Sequence, residues 1–267
     1  MAITTLDGII AGAQHPQPIY KALTGTMVAG RPHSLFYTAG VPGAAVAPTP
    51  GLAGAALTSY PGQIPFSTIA AGNRYLSRFS GHGTLSGTLL LVDRLWHNSG
   101  FTITSTSAQT VNSATWPARD SNGATSGEDV LLGVEISSAT GAGTPTITVS
   151  YTNSAGTSGK TGTNLVNTVA SSIAGTFYPI GLAAGDVGVQ SVQTLTLSAT
   201  WTSGTMHLVA YRVLAALELS NANTGNAIDA LTGGMPQLYA NSVPFLIYIP
   251  SNTTTSNVLA TVSYTDG

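Results

Sequence analysis

The side chains able to do chemistry are few and widely separated. Five histidines, His15, His33, His82, His97 and His207, fall in no H-E-x-x-H or H-x-H spacing, the compact arrangement that places two imidazoles on one metal. No metal site is expected from them. There is no cysteine, so thiolate ligands, disulfides and thiol nucleophiles are excluded. No G-x-S-x-G elbow presents a serine, and a Ser-His-Asp triad is recognised only from spatial geometry. Gly159-Lys160-Thr161 matches the end of a phosphate-binding loop, but Ser154 stands where that motif needs its first glycine. Gly156 to Gly162 reads instead as a flexible loop tip. No catalytic residue, cofactor or metal ligand is assigned.

The ten carboxylates are Asp7, Asp93, Asp120, Glu128, Asp129, Glu135, Asp186, Glu218, Asp229 and Asp266. Two of them at the right separation could cleave glycosides. The stacking faces that line sugar clefts are scarce, however. Such a groove would have to use Trp116, Trp201 or Tyr151, and the only other tryptophan is Trp96. Asp120, Glu128 and Asp129 flank the turn-rich stretch Ser121 to Gly127 and could hold a hard cation, although the regular ligand spacing of a calcium loop is missing. An exposed polar loop is the expectation. Asp93 and Arg94 interrupt the apolar run Leu89 to Trp96 and would point to opposite faces of a strand. Charges placed there are expected to be paired, inside the chain or at a subunit boundary. Arg212 and Glu218 invite the same reading.

The elements that carry these residues are β-strands. Thr146 to Tyr151 alternates, with Ile147, Val149 and Tyr151 facing a core and hydroxyl residues facing out. Val192 to Trp201 places Leu195, Leu197, Ala199 and Trp201 on one face. Phe101 to Thr104 and Val258 to Tyr264 repeat the pattern. Leu89 to Val92 and Val243 to Ile249 are apolar on both faces, as central or interface strands would be. Turn signals separate the runs, and Trp201 to Met206 reads as a hairpin joining two strands. Short helical turns are expected between Leu214 and Leu231, broken at Asn221 to Gly225, and another near Thr4 to Ala13 with Thr5 as its cap. No fixed-period repeat and no sustained 3.6-residue periodicity is present, which disfavours solenoids and a long-helix shell protein.

The first 70 residues differ from the rest. Pro16, Pro18, Pro32, Pro42, Pro48, Pro50, Pro61 and Pro65 are more than half of the 14 prolines, and dense proline opposes regular structure. Leu35, Phe36, Tyr37, Leu52 and Leu57 need somewhere to pack, either along a neighbouring subunit or around their own domain. The expected fold is all-β: a jelly-roll-like sandwich or barrel over 71–267, preceded by an extended Pro/Gly/Ala-rich arm and connecting segment over 1–70.

Only 7% of the 267 residues are charged, against about 25% in an average soluble domain. A surface so short of charge is poorly defended against association. It is expected to be covered by copies of itself or by a partner. Nucleic acid is excluded as that partner, because the eight Lys and Arg are scattered, with Arg74 and Arg78 the nearest to a cluster. No apolar run reaches the length of about 18 residues needed to span a membrane, and no secretory signal is visible. Asn252-Thr253-Thr254 matches a glycosylation sequon by chance on that reading.

Three segments carry a resemblance. Tyr178 to Val192 (YPIGLAAGDVGVQSV), together with Arg31-Pro32-His33-Ser34-Leu35 and the closing Tyr264-Thr265-Asp266-Gly267, resembles stretches of tailed-phage virion proteins, most of all head decoration (cement) proteins. The resemblance implies a β-rich, jelly-roll-like homotrimer. Such a protein is made in the host cytoplasm and sits on the capsid surface, where it binds the assembled shell of major capsid protein without catalysis. The contacts would come from the arm residues Leu35, Phe36, Tyr37, Leu52 and Leu57 and from Val243, Phe245, Ile247 and Ile249. A tail, baseplate or receptor-binding component would share this composition, and a carbohydrate-binding or glycoside-cleaving β-sandwich is the alternative from another class.

Overall fold

The computed structural model describes residues 3–69 and 72–267. One short helix, α1 (Leu6–Ala11), precedes seventeen strands among the described residues. The first four strands are β1 (Gln17–Leu23), β2 (His33–Ser34), β3 (Gly40–Val41) and β4 (Ala55–Ala56). Next come β5 (Arg74–Gly83), β6 (Gly87–His97), β7 (Gln109–Thr110), β8 (Val130–Ser138), β9 (Ile147–Asn153) and β10 (Lys160–Asn164). The chain closes with β11 (Phe177–Gly181), β12 (Val189–Leu197), β13 (Thr205–Leu219), β14 (Asn226–Asp229), β15 (Gln237–Leu238), β16 (Pro244–Pro250) and β17 (Ser256–Asp266). No helix among the described residues is long and apolar enough to cross a membrane.

Every strand pairing is antiparallel, and two sheets result. The smaller runs β14-β5-β17-β1-β3, with β15 also on β5. The larger runs β2-β16-β6-β13-β8-β11-β10-β9-β12-β7, with β4 also on β6. At one end the two sheets stack. Phe79, Val262 and Ile19 of the smaller sheet meet Leu89, Leu91 and Leu217 of the larger. At the other end the larger sheet curls on itself, so that Val134 of β8 and Val192 of β12 share one core with Trp96, Trp116 and Trp201. The chain is thus all-β, a sandwich continuing into a half-barrel, within the expected class of jelly-roll-like sandwich or barrel. Strands β6 and β13 belong to both ends, and their register shifts at Ala210/Tyr211 and Val213/Ala215 bend the sheet between the two cores.

The period-2 reading holds over β9 and over Val258 to Tyr264, and over β12 as far as Leu197, where the strand ends short of the expected Trp201. Ile147, Val149 and Tyr151 of β9 are buried and their neighbours half-buried. Four expectations change. Residues 201–206 form no hairpin, because β12 pairs with β9 and β7 whereas β13 pairs with β6 and β8. Phe101 to Thr104 is a loop that still sends Ile103 into the core. Leu214 to Leu219 is strand rather than helix. Its helix-forming residues are held by cross-strand pairs such as Leu217 with Leu89, and tertiary pairing overrides local propensity. Finally, residues 3–69 of the expected arm over 1–70 are not a separate arm. Strand β1 lies between β17 and β3, and residues 33–60 cover the second face of the larger sheet, where Phe36, Tyr37 and Tyr60 pack on Val92, Val209, Phe245 and Ile247. The α1 helix is where the sequence puts it, with the Thr5 hydroxyl accepting from the Gly8 N–H at 3.1 Å.

Candidate functional site

The distribution of charge is the most distinctive chemical feature. Of the 18 charged residues, nine are buried: Lys21, Arg31, Arg74, Asp93, Arg94, Arg119, Asp120, Glu135 and Arg212. Outside the core stand seven carboxylates and two cations, Arg78 and Lys160. Asp93 and Arg94 point to opposite faces of β6, as expected, and each finds an opposite charge within the chain. The Asp93 carboxylate accepts from Arg119 Nε at 3.1 Å, Ser242 Oγ at 3.0 Å and the Val243 N–H at 2.7 Å. Arg119 in turn donates to the carbonyls of Leu57 and Arg94, which ties the N-terminal segment to β6. On the other face Arg94 donates to Glu135 at 2.8 Å, both side chains being fully buried. Its guanidinium lies 4.5 Å from the Phe36 ring centroid and 5.4 Å from that of Phe245. Burial alone would raise the Glu135 carboxyl, but the charge and hydrogen bond of Arg94 outweigh it and hold the group below its usual range. Arg212, buried on β13, donates to the Gln237 carbonyl and has no carboxylate within 4.0 Å among the described residues, while Glu218 accepts from the Thr88 hydroxyl.

Two histidines join the Arg94 cluster. His97 Nδ1 accepts from Arg94 Nε at 3.2 Å, and burial followed by the Arg94 charge pushes its pKa down to about 2. His207 sits 2.8 Å from the Asn98 carbonyl through Nδ1 and 2.7 Å from Ser137 Oγ through Nε2. A carbonyl only accepts, so Nδ1 carries the proton and Nε2 accepts from the Ser137 hydroxyl. This is the hydrogen-bond order of a serine and its base. Here a backbone carbonyl, not a carboxylate, orients the ring, and the pair bridges the neighbouring strands β8 and β13. No sequence motif announces it, since the two residues lie 70 positions apart.

The other chemical candidates are structural. Both Asp120 oxygens are taken by the loop's own donors, the N–H groups of Asn122, Ala124, Gly127 and Glu128 and the hydroxyl of Ser126. Burial would raise its pKa, but those donors hold it down. No group of three or more His, Asp or Glu that could hold a metal occurs among the described residues. Trp116, Trp201 and Tyr151 are all in the core, exposed by 1% or less. Their polar atoms bind Val189 O, Val169 O and Asp186, so the sugar groove that they were to line is not formed.

The expected assembly contacts also turn inward. Leu35, Phe36, Leu57, Val243, Phe245 and Ile247 are buried in the chain's own cores, and Tyr37, Leu52 and Ile249 are half-buried. Of the two ways to pack the arm, the chain adopts the one that wraps its own domain, because the second apolar face of the larger sheet supplies the cover that those side chains require.

No family model matches the chain, and no curated protein matches it. Among solved structures, it is similar to the infectious bursal disease virus VP2 subviral particle at 8% identity, over 96% of this chain and 82% of that one, with a TM-score of 0.20. The structure of the infectious bursal disease virus Gt strain gives 10% identity over 96% and 81%, with a TM-score of 0.19. Agreement at that level bears on neither fold nor function.

Proposed function

We propose that the chain is a virion structural protein which decorates and stabilises a tailed-phage capsid. As a homotrimer it binds the assembled shell of major capsid protein and performs no catalysis. The observation that carries this reading is the burial of half of an already small set of charges. It leaves nine charged residues on 10522 Å² of surface, which also carries exposed large hydrophobic side chains such as Leu165 and Leu231. Low charge leaves association unopposed, and extended interfaces with few charges at their centres are how permanent assemblies hold together. Stabilisation then follows from mass action, because a protein that binds only the assembled shell shifts the equilibrium towards it. The test is calorimetric melting of phage heads with and without this protein. A higher melting temperature with it supports the proposal. Equal melting, or labelling confined to the tail in electron micrographs, rejects it.

A further inference from the structure

The outer face of the smaller sheet carries a groove of about 720 Å³. Strands β1, β3, β5, β14 and β17 form its walls, and Pro18, Tyr20, Val41 and Leu259 give it an apolar lining. Tyr20 is 42% exposed and Val41 56% exposed. One charged residue lines it, Arg78. Of the two cations outside the core, Lys160 lies 3.6 Å from Asp186, whereas Arg78 has no carboxylate within 4.0 Å among the described residues. Its cross-strand neighbour Asp229 is turned into its own loop, where it accepts from the N–H groups of Leu231 and Thr232. An apolar groove whose one guanidinium makes no salt bridge among the described residues calls for a short apolar segment that carries one carboxylate.

The α1 helix has that composition. Leu6 and Ile10 stand four positions apart, hence on one face, and are 69% and 65% exposed. Between them is Asp7, the only charged side chain before Lys21. The helix buries none of its residues against its own chain. It is tethered at the far end of β17 by Thr265 Oγ to the Ile9 carbonyl at 2.8 Å and by the Gln14 N–H to the Tyr264 carbonyl. The groove begins at Thr261, four residues and about 13 Å back along the same strand. In its own chain, therefore, the helix is held beside the groove and outside it.

We propose that α1 of one copy seats in the groove of a second copy, with Leu6 and Ile10 on Tyr20, Val41 and Leu259 and with Asp7 against Arg78. The contact is heterologous, one patch meeting a different one, so successive copies close into a ring when the rotation allows. It deepens the assembly reading and rests on it for its biological role, but it is tested separately.

The experiment is sedimentation velocity of the full chain across a concentration series. The wild type should self-associate. Ile10→Asp and Leu6→Asp, both at exposed positions and with folding checked by circular dichroism, should each weaken association by at least about tenfold, as removal of a central anchor does. Asp7→Arg and Arg78→Asp should each associate poorly alone, and the double variant Asp7→Arg/Arg78→Asp should recover, because every contact of any ring then holds one opposite-charge pair. A wild type that stays monomeric overturns the inference, and a helix folded back into its own groove would give that result. Undiminished association of the Asp variants, or failure of the double variant to recover, overturns it too, while leaving the capsid-melting test of the assembly reading untouched.

Discussion

Replacing Glu135 by Gln tests the buried ionic cluster most directly. The substitution keeps the shape of the side chain and an oxygen that can accept from Arg94, but it removes the charge facing a fully buried guanidinium. At 2.8 Å and an effective dielectric of about 20, the attraction removed is about 6 kcal/mol. A neutral hydrogen bond returns about 1 kcal/mol of it. The ring faces of Phe36 and Phe245 and the His97 acceptor remain, so the expected net loss is about 3–5 kcal/mol, the range for breaking one partner of a buried pair. In a chain of this size that lowers the melting temperature by about 10 °C. Urea unfolding followed by tryptophan fluorescence reads the loss well, because Trp96, Trp116 and Trp201 are all buried. The midpoint should fall with an unchanged slope. The double variant Arg94→Met/Glu135→Leu should return to within about 1 kcal/mol of the parent, since neither charge is then left alone. The acid limb gives a second readout. Because the folded Glu135 pKa is depressed, its contribution is whole above the unfolded value of about 4.3 and is lost as pH falls through the folded one. Glu135→Gln should therefore flatten the acid limb. A single variant within about 1 kcal/mol of the parent would refute the reasoning.

Two further outcomes follow from the same structure. Burial, followed by the nearby Arg31 charge, pushes the His33 pKa down to about 4, so between about pH 6.5 and 4 the unfolded chain takes up a proton that the folded chain refuses. Stability should fall by about 3 kcal/mol over that window as pH drops, and His33→Asn should remove that part of the slope in melting temperature against pH. On β8, a methyl group at Gly133 would run into the Phe177 ring; Gly133→Ala should cost about 1–3 kcal/mol by overpacking, and calorimetry showing an unchanged melting temperature would contradict the packing described.

What could be read from the sequence divides along physical lines. Strand β9 was legible because one face is buried and the other wet, so its residues alternate. Strand β13 was not, because Leu214 to Leu219 offers good helix formers and only the partner strand β6 decides their fate. The pairing of Asp93 and Arg94 was legible as a necessity, since a charge within an apolar run must be neutralised. The partners were hidden, because Arg119 lies 26 positions from Asp93 and Glu135 lies 41 from Arg94. For the same reason Leu35 and Phe36 announced that they needed cover without saying whose. The groove on the smaller sheet left no trace at all, since β1, β3, β5 and β17 come from both ends of the sequence.

That last juxtaposition governs how the molecule can be made. Strand β17 is the inner strand between β5 and β1, so the smaller sheet has no centre until residues 256–266 leave the ribosome. Until then β1 and β5 each wait with one edge bare, while the larger sheet, whose strands lie between 33 and 250, is nearly all available. Such late, long-range closure is slow and leaves a nascent chain open to aggregation. Chains arrested short of residue 256 should therefore hold a formed half-barrel and an unpaired, sticky front, and they should be the species that chaperones retain.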